Sequence, residues 1–301
     1  MAYEHMYAFH SAWILSHGSI GSTGAASAVF PWWSFTKTVM AICALRLVEA
    51  GQLELDAPRP NKPYTLRQLL QHRAGVPNYG ALNAYHEAVA RNDAPWPRER
   101  LLKAVGADRL DFKPGEGWAY SNVGYLFVRD AIEEAAGVPL GKALQELVLA
   151  PLHVPSVRLA VTRSDLSEVF WPAVRNYDPR WVYHGCLIGS PIDAAKVLHA
   201  LVSGRSLGAA TLRAMMERHE IGGAVAGRPW TTCGYGLGLM SGRTNEAGMA
   251  IGHSGGGPGC VNAVYHYPDL DVPITVATFT SGDDEGAAEV EAMSIVLREK
   301  R

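Results

Sequence analysis

The chain has 301 residues, of which 48% are apolar and 19% are charged. This composition is typical of a globular enzyme with a substantial core and excludes a disordered or coiled-coil chain. The 27 basic and 29 acidic residues nearly cancel, and no long basic run occurs, so we expect no nucleic acid as a partner.

The predicted elements begin with short strands between residues 5 and 30, where glycines separate apolar runs. Residues 38–50 predict a buried helix, because they are apolar on every side and Gly51 follows them. Capping and termination signals then predict helices at residues 65–70, 123–136, 140–149, 191–202 and 211–219. Alternating or β-branched runs predict strands at residues 235–240, 261–267 and 272–280, before an amphipathic helix at residues 287–298.

This order places strands at both ends of the chain and helices between them. We therefore predict an α/β (α+β) fold, in which one antiparallel sheet flanked by helices is built from both ends of the chain. Residues 1–36 and 220–301 would form the α/β domain, and residues 37–219 would form an inserted all-helical domain.

The sequence shows no sign of a metal site, a disulfide framework or export. The four cysteines are far apart and no H-E-x-x-H motif occurs, so we predict free thiols, no metal and no cofactor. Residues 1–18 lack the pattern of a signal peptide, and no apolar stretch reaches about 18 residues. We expect a cytoplasmic protein without a membrane span.

A first chemical motif pairs Ser34 with Lys37, three residues apart at a predicted helix start. This spacing places both side chains on one face of the helix. A serine hydroxyl needs a neighbouring base to become a nucleophile, and a buried lysine with a lowered pKa can be that base. The alternative interpretation is a capping serine followed by a surface lysine.

A second motif is the turn-rich segment of residues 113–122, which ends in Tyr120 and Asn122 immediately before a helix. Tyr120 can share a proton with the serine, and Asn122 can hydrogen-bond the lysine and a substrate amide. Alternatively, Asn122 only caps the following helix and Tyr120 only packs.

A third motif is the glycine-rich segment of residues 251–259, which contains His253, Gly255 and Gly256. Glycines let a backbone approach a ligand closely. On an edge strand, this segment would let a substrate lie alongside, with the Gly256 amide directed at its carbonyl oxygen. The alternative is a plain glycine turn between two strands.

Together, the three motifs resemble the S-x-x-K, Y-x-N and H/K-x-G triplet of the serine β-lactamase and penicillin-binding protein superfamily. The closest branch holds class C β-lactamases, D-alanyl-D-alanine carboxypeptidases, D-aminopeptidases and related esterases. Residues 65–77 and 112–125 resemble further segments of that branch. The resemblance implies a helical domain inserted into an α/β domain, with the active site at their interface.

The resemblance also implies a role for each motif residue. Ser34 would be the acylated nucleophile, Lys37 and Tyr120 would together manage its proton, and Asn122 would orient Lys37 and the substrate. Which of Lys37 and Tyr120 is the general base stays open.

The glycine-rich motif is implied to bind the substrate. The amides of Ser34 and Gly256 would form the oxyanion hole, and His253 stands where penicillin-recognising members often have lysine, with Gly255 following in the motif. Residues 163–185 have no role that the resemblance assigns.

The implied activity is that of a serine hydrolase acting through an acyl-serine intermediate on small ester, amide or lactam substrates. D-alanyl carboxypeptidase, D-aminopeptidase and β-lactamase activities remain alternatives, although His253 in place of lysine weakens the case for a dedicated β-lactamase. Residues 252–256 also fit G-x-S-x-G, the nucleophile elbow of α/β-hydrolases, with Ser254 as nucleophile. A further alternative is a β-lactamase-like fold that only binds ligands.

Overall fold

The computed structural model describes residues 8–300, so residues 1–7 and 301 of the predicted α/β segments lie outside it. The strands are β1 (His10–Leu15), β2 (Ile20–Thr23), β3 (Phe30–Pro31), β4 (Arg158–Ala160), β5 (Cys186–Gly189), β6 (His219–Gly222), β7 (Trp230–Tyr235), β8 (Met240–Thr244), β9 (Gly248–Gly257), β10 (Cys260–Tyr267) and β11 (Ile274–Ser281).

The α-helices are α1 (Thr36–Glu49), α2 (Leu66–Leu70), α3 (Asn83–Ala90), α4 (Arg98–Val105), α5 (Asn122–Ala136), α6 (Leu140–Leu144), α7 (Pro172–Arg175), α8 (Pro191–Val202), α9 (Ala209–Met216) and α10 (Glu285–Glu299). A π-helical turn, Gln145–Leu149, continues α6. Within residues 8–300, no helix is both long and apolar enough to cross a membrane.

Eight strands form one antiparallel sheet, in the order β2-β1-β11-β10-β9-β8-β7-β6. The second and third strands of this order join the two ends of the chain, because β1 pairs with β11 from His10 opposite Phe279 to Leu15 opposite Ile274. The prediction of an antiparallel sheet built from both ends is confirmed.

Helices cover both faces of this sheet. Val264 on β10 belongs to the core that includes α8, whereas its neighbours Ala263 and Tyr265 pack with α10. Because successive side chains of a strand point to opposite faces, α8 and α10 lie on opposite sides of the sheet. In agreement with this, the residues of β10 and β11 are buried almost without alternation.

The middle of the chain packs around α1, which is buried along nearly its whole length. A small sheet, in the order β3-β5-β4, lies beside its start. The division into residues 1–36 with 220–301 and an insertion of residues 37–219 stays a prediction. Helix α8 belongs to the second of these segments by sequence, but it packs against the large sheet.

The strand predicted at residues 235–240 is wrong, because residues 236–239 form the turn between β7, which ends at Tyr235, and β8, which begins at Met240. Gly238 has a left-handed backbone with φ of +72°, and Gly236 N–H donates to the Leu239 carbonyl at 2.8 Å. Alternation of glycine with apolar residues is typical of a strand, but glycine also permits this turn. The turn docks on α1, where the Thr38 hydroxyl donates to the Gly238 carbonyl at 2.7 Å.

Candidate active site

Ser34 lies in a short 3-10 turn, Trp33–Phe35, immediately before α1. Trp33 has a left-handed backbone with φ of +41°, which is strained for a bulky side chain. Its indole covers Gly257, where a Cβ atom would lie only 2.6 Å from the ring. A strained residue next to a partly buried serine is typical of a functional site.

The structure brings Ser34, Lys37 and Tyr120 together. Lys37 Nζ lies 3.0 Å from Ser34 Oγ, and the Tyr120 hydroxyl donates to the same oxygen at 2.9 Å. The Lys37 side chain is completely buried in the first turn of α1, so the interpretation of a surface lysine is wrong.

Burial determines the protonation of the two partners of the serine. It lowers the pKa of Lys37 well below the ordinary lysine value, so the amine tends to be neutral and can accept a proton. Burial also raises the pKa of Tyr120 far above the ordinary tyrosine value. The phenol therefore stays protonated near neutral pH and acts as a donor.

Tyr120 is positioned by the His72 ring and by the start of α5, which follows it in the chain. The N–H of Ser121 donates to His72 Nδ1 at 3.0 Å, and the His72 ring lies 4.2 Å from the Tyr120 ring. The Ser121 hydroxyl accepts from Gly124 N–H at 2.9 Å and caps α5. The cap of this helix is therefore Ser121, which leaves Asn122 as the first helical residue.

The second partner of Lys37 is His184, whose Nε2 lies 3.0 Å from Nζ. Burial lowers the pKa of His184 well below its ordinary value, so the ring is neutral and can accept a hydrogen bond from the amine. His184 lies two residues before β5. This strand is anchored on α1 by a hydrogen bond from Leu187 N–H to the Thr36 hydroxyl at 3.0 Å. Sequence reasoning missed this residue, because a lone histidine outside any motif carries no signal.

Asn122 is not hydrogen-bonded to Lys37, in contrast to the role predicted for it. In the described part of the chain, the hydrogen-bond partners of Lys37 Nζ are Ser34 and His184, and Asn122 is not among them. The Asn122 amide N–H donates to the Asn78 side chain at 3.1 Å. Asn122 borders the same cavity as Ser34, so it is placed to contact a substrate rather than the lysine.

The glycine-rich motif lies on β9, along an edge that is open to a ligand. Strand β8 pairs with β9 only as far as Gly252, whereas β10 pairs with it from residue 251 to Gly257. Gly255 is buried beneath the nucleophile turn, and a Cβ there would lie 2.8 Å from Ser34 N. Gly256 is exposed and borders the cavity.

His253 is buried beside Tyr120, with a distance of 6.2 Å between the ring centroids. Its Nε2 is hydrogen-bonded to the Tyr235 hydroxyl at 2.8 Å. Burial lowers the pKa of His253 to about 3, so the ring is neutral near pH 7. It therefore lacks the charge that a lysine would bring to this position.

Ser254 lies in the interior of β9 and does not form a nucleophile elbow. Its side chain is buried on the α10 face of the sheet, where Oγ donates to Glu289. An elbow requires an exposed serine at a turn from a strand to a helix. The alternative with Ser254 as nucleophile is therefore wrong.

Ser34, Asn122 and Gly256 border one cavity of about 200 Å³. The polar groups that these three residues bring to the cavity suit acyl transfer at Ser34. Among residues 8–300, no group of three or more His, Cys, Asp or Glu side chains is arranged to hold a metal ion.

Two curated relatives match parts of the chain. A penicillin-binding protein of Bacillus subtilis (strain 168) is 24% identical over 281 residues, which cover 81% of this chain and 59% of that protein. Esterase EstB of Burkholderia gladioli is 32% identical over 140 residues, which cover 40% of this chain and 35% of that protein. The match thus spans less than two thirds of either relative.

A solved structure and a family match cover more of the chain. The crystal structure of a D-stereospecific amidohydrolase from a Streptomyces species has a TM-score of 0.79 and 26% identity, and the similarity covers 97% of this chain and 93% of that one. Residues 16–299 match the Beta-lactamase family. The resemblance inferred from the three motifs is confirmed. Because the match spans nearly the whole chain, the protein belongs to the Beta-lactamase family.

Proposed function

We propose that this protein is a serine hydrolase that cleaves small esters or amides through an acyl intermediate on Ser34. One observation carries the proposal: Ser34 Oγ lies within hydrogen-bond distance of both a buried lysine and a buried tyrosine, Lys37 and Tyr120. A serine with two such partners, at the opening of a cavity, has what nucleophilic catalysis requires.

In the acylation step, Lys37 is the general base. Ser34 Oγ attacks the carbonyl carbon of the substrate while its proton passes to the neutral Lys37 amine. The amides of Ser34 and Gly256 donate to the oxygen that becomes negative, and the partial positive charge at the start of α1 stabilises it further.

The tetrahedral intermediate then collapses with the help of Tyr120. Its hydroxyl gives a proton to the leaving oxygen or nitrogen, and the phenolate recovers a proton from the Lys37 ammonium. The products of this step are the acyl-serine and the free alcohol or amine. A water molecule then attacks the acyl carbon by the same route in reverse and restores the Ser34 hydroxyl.

His184 and Asn122 divide the roles that the sequence placed on Asn122 alone. His184 holds the Lys37 amine by accepting its hydrogen bond, and the neighbouring Ser34 lies on the other side of Nζ. Asn122 donates to the substrate from the cavity wall. The active site then lies between residues of the predicted helical insertion and β9 of the large sheet.

The relatives support ester and amide cleavage in general terms, because one is named an esterase and one an amidohydrolase. All four cysteines are free in the structure. The cytoplasm stays the predicted location on that basis, and the small ester, amide or lactam substrate stays a proposal.

Covalent labelling tests the proposal directly. A fluorophosphonate probe should label the protein at a stoichiometry near one, and peptide mass spectrometry should find the adduct on Ser34. Ser34→Ala should abolish both the labelling and the hydrolysis of p-nitrophenyl acetate. Ser254→Ala is the matched control, since it removes the serine of the G-x-S-x-G segment, and it should keep the labelling. An adduct at another residue, or full labelling of Ser34→Ala, would refute the proposal.

A further inference from the structure

We propose that the cavity beside Ser34 is a preformed pocket for a compact, uncharged acyl group, namely a single ring or a short branched chain. This inference rests on the proposed function, because it names the substrate class of the same serine. It follows from the walls, the charge and the size of the cavity.

The walls of the cavity are mostly aromatic and aliphatic, and their polar side chains are those of Ser34, His86, Asn122 and His184. Its aromatic lining consists of Trp33, Tyr79, Tyr85 and Tyr177, and Val89, Val182 and Pro258 add aliphatic surface. Flat aromatic faces favour apolar groups, and above all another ring. The wall therefore selects an acyl group that is apolar over most of its surface.

The wall is also rigid. The Tyr85 hydroxyl donates to the Trp181 carbonyl at 3.0 Å, which holds that ring in place. Tyr79 packs on Tyr85 with ring centroids 4.8 Å apart, and Trp33 meets the edge of Tyr177 at 5.6 Å. Interlocked rings of this kind restrict changes in the shape of the pocket, which favours a substrate that fits its present form.

The lining of this cavity offers a substrate no charged side chain, and the Glu285 carboxylate behind Gly256 is already paired with Arg228 at 3.2 Å. Among the described residues that line it there is no Asp, Glu, Lys or Arg. Lys37 is buried next to Ser34, and burial lowers its pKa well below the ordinary lysine value. An ammonium or a carboxylate on the acyl group would lose its hydration here without gaining a counter-charge, which is costly. The pocket therefore disfavours D-amino-acyl groups and carboxylate-bearing acyl groups alike.

The size of the cavity narrows the class further. Its volume is about 200 Å³. An apolar cavity of about 150 Å³ holds benzene, whereas pockets for drug-sized ligands begin near 300 Å³. One ring on a short linker therefore fills the cavity, whereas a peptide or a large fused-ring acyl group would extend beyond it.

The pocket also gives a role to the segment of residues 163–185, to which the sequence assigned none. This segment supplies Tyr177 and Val182 to the wall and His184 to the lysine. One stretch of chain thus contributes both to substrate selection and to the position of the base.

Three p-nitrophenyl esters with the same leaving group test the inference: the acetate, the cyclohexylacetate and the piperidinylacetate. The last two have rings of the same shape, but the piperidine ring carries an ammonium near pH 7. The cyclohexylacetate should have a kcat/KM about 30-fold above that of the acetate, because its ring leaves water. The piperidinylacetate should fall at least about 100-fold below the cyclohexylacetate.

Two variants tie that preference to the wall. Tyr177→Ala should lower the ratio of cyclohexylacetate to acetate kcat/KM about tenfold, because it removes one aromatic face. Tyr177→Phe keeps the ring and should keep the ratio.

The outcomes separate this inference from the proposed function. If Ser34-dependent hydrolysis is present but the piperidinylacetate equals or exceeds the cyclohexylacetate, the pocket assignment is overturned and the serine hydrolase stands. Equal kcat/KM for the acetate and the cyclohexylacetate overturns it in the same way. If no ester is hydrolysed in a Ser34-dependent manner and no probe labels Ser34, the proposed function falls and the pocket assignment falls with it.

Discussion

Two adjacent glycines on β9 offer a sharp test, because the same methyl group should lower activity strongly at one position and leave it nearly unchanged at the other. At Gly255, an added Cβ would lie 2.8 Å from Ser34 N and 2.9 Å from the Trp32 carbonyl oxygen. At Gly256, the nearest atom is Glu285 Oε1 at 3.0 Å, and the next atoms lie at 3.4 Å and beyond.

The difference between these contacts sets the expected magnitude. Ordinary contact for a Cβ begins at 3.4 Å, so Gly255→Ala must move the backbone of the nucleophile turn by about 0.6 Å. The Ser34 amide would then leave its place as an oxyanion donor, and losing one such donor costs about 100- to 1000-fold in kcat. Gly256→Ala only displaces the end of a flexible glutamate, so its kcat should stay within about threefold of wild type.

The assay is kcat for p-nitrophenyl acetate under saturating substrate, with Tm measured for each variant to confirm folding. Gly256→Pro completes the series, because it removes the proposed donor N–H and should lower kcat by about 100- to 1000-fold in a folded protein. The reasoning is refuted if folded Gly255→Ala keeps a kcat near that of wild type. A Gly256→Ala variant as slow as Gly255→Ala would contradict the contact argument, whereas a fast and folded Gly256→Pro would remove the Gly256 amide from the oxyanion hole.

Three further predictions follow from the buried titratable groups. Lys37→Ala and Tyr120→Phe should each lower kcat by about two to four orders of magnitude. The double variant should lose far less than the product of the two single losses in kcat, since the effects of residues that act as a unit are not additive. A loss equal to that product would show that the two residues have independent roles. His184→Leu should lower kcat about 10- to 100-fold and shift the acid limb of kcat/KM to lower pH, because a neutral acceptor favours the protonated amine. His184→Gln restores an acceptor and should recover most of both, whereas an unshifted limb in His184→Leu would leave His184 with a merely structural role. Burial lowers the pKa of His253 to about 3 from an unfolded value of 6.5, so its contribution to stability is complete above pH 6.5 and is lost as the pH falls. Between pH 7 and pH 5, wild type should therefore lose about 2 kcal/mol more unfolding free energy in urea than His253→Gln, and equal losses would contradict the neutral buried ring.

Much of the fold was predictable because its signals are local. The capping pattern of Ser190 and Pro191 predicted the start of α8, and the Ser190 hydroxyl does accept from Asp193 N–H at 3.1 Å. Residues 235–240 were not predictable, because glycine alternating with apolar residues fits a strand and a tight turn equally well. The choice between them depends on the docking of Gly238 against α1, which is a contact distant in sequence.

The candidate site likewise has features that were predictable from the sequence and features that were not. The sequence alone indicated the family, through three motifs, and the antiparallel sheet, through local strand patterns. It also indicated the nucleophile, because Ser34 and Lys37 lie three residues apart and the 3-10 turn that leads into α1 brings them together. Only the tertiary structure decided the partners of that lysine, since His184 is 147 residues away along the chain and its approach depends on how β5 packs on α1. It also decided that Ser254 faces Glu289 rather than the cavity, because register alone selects which face of a strand a side chain takes. The spacing of residues within one turn can be read from the sequence, whereas burial, protonation and the shape of the pocket arise only when distant segments pack together.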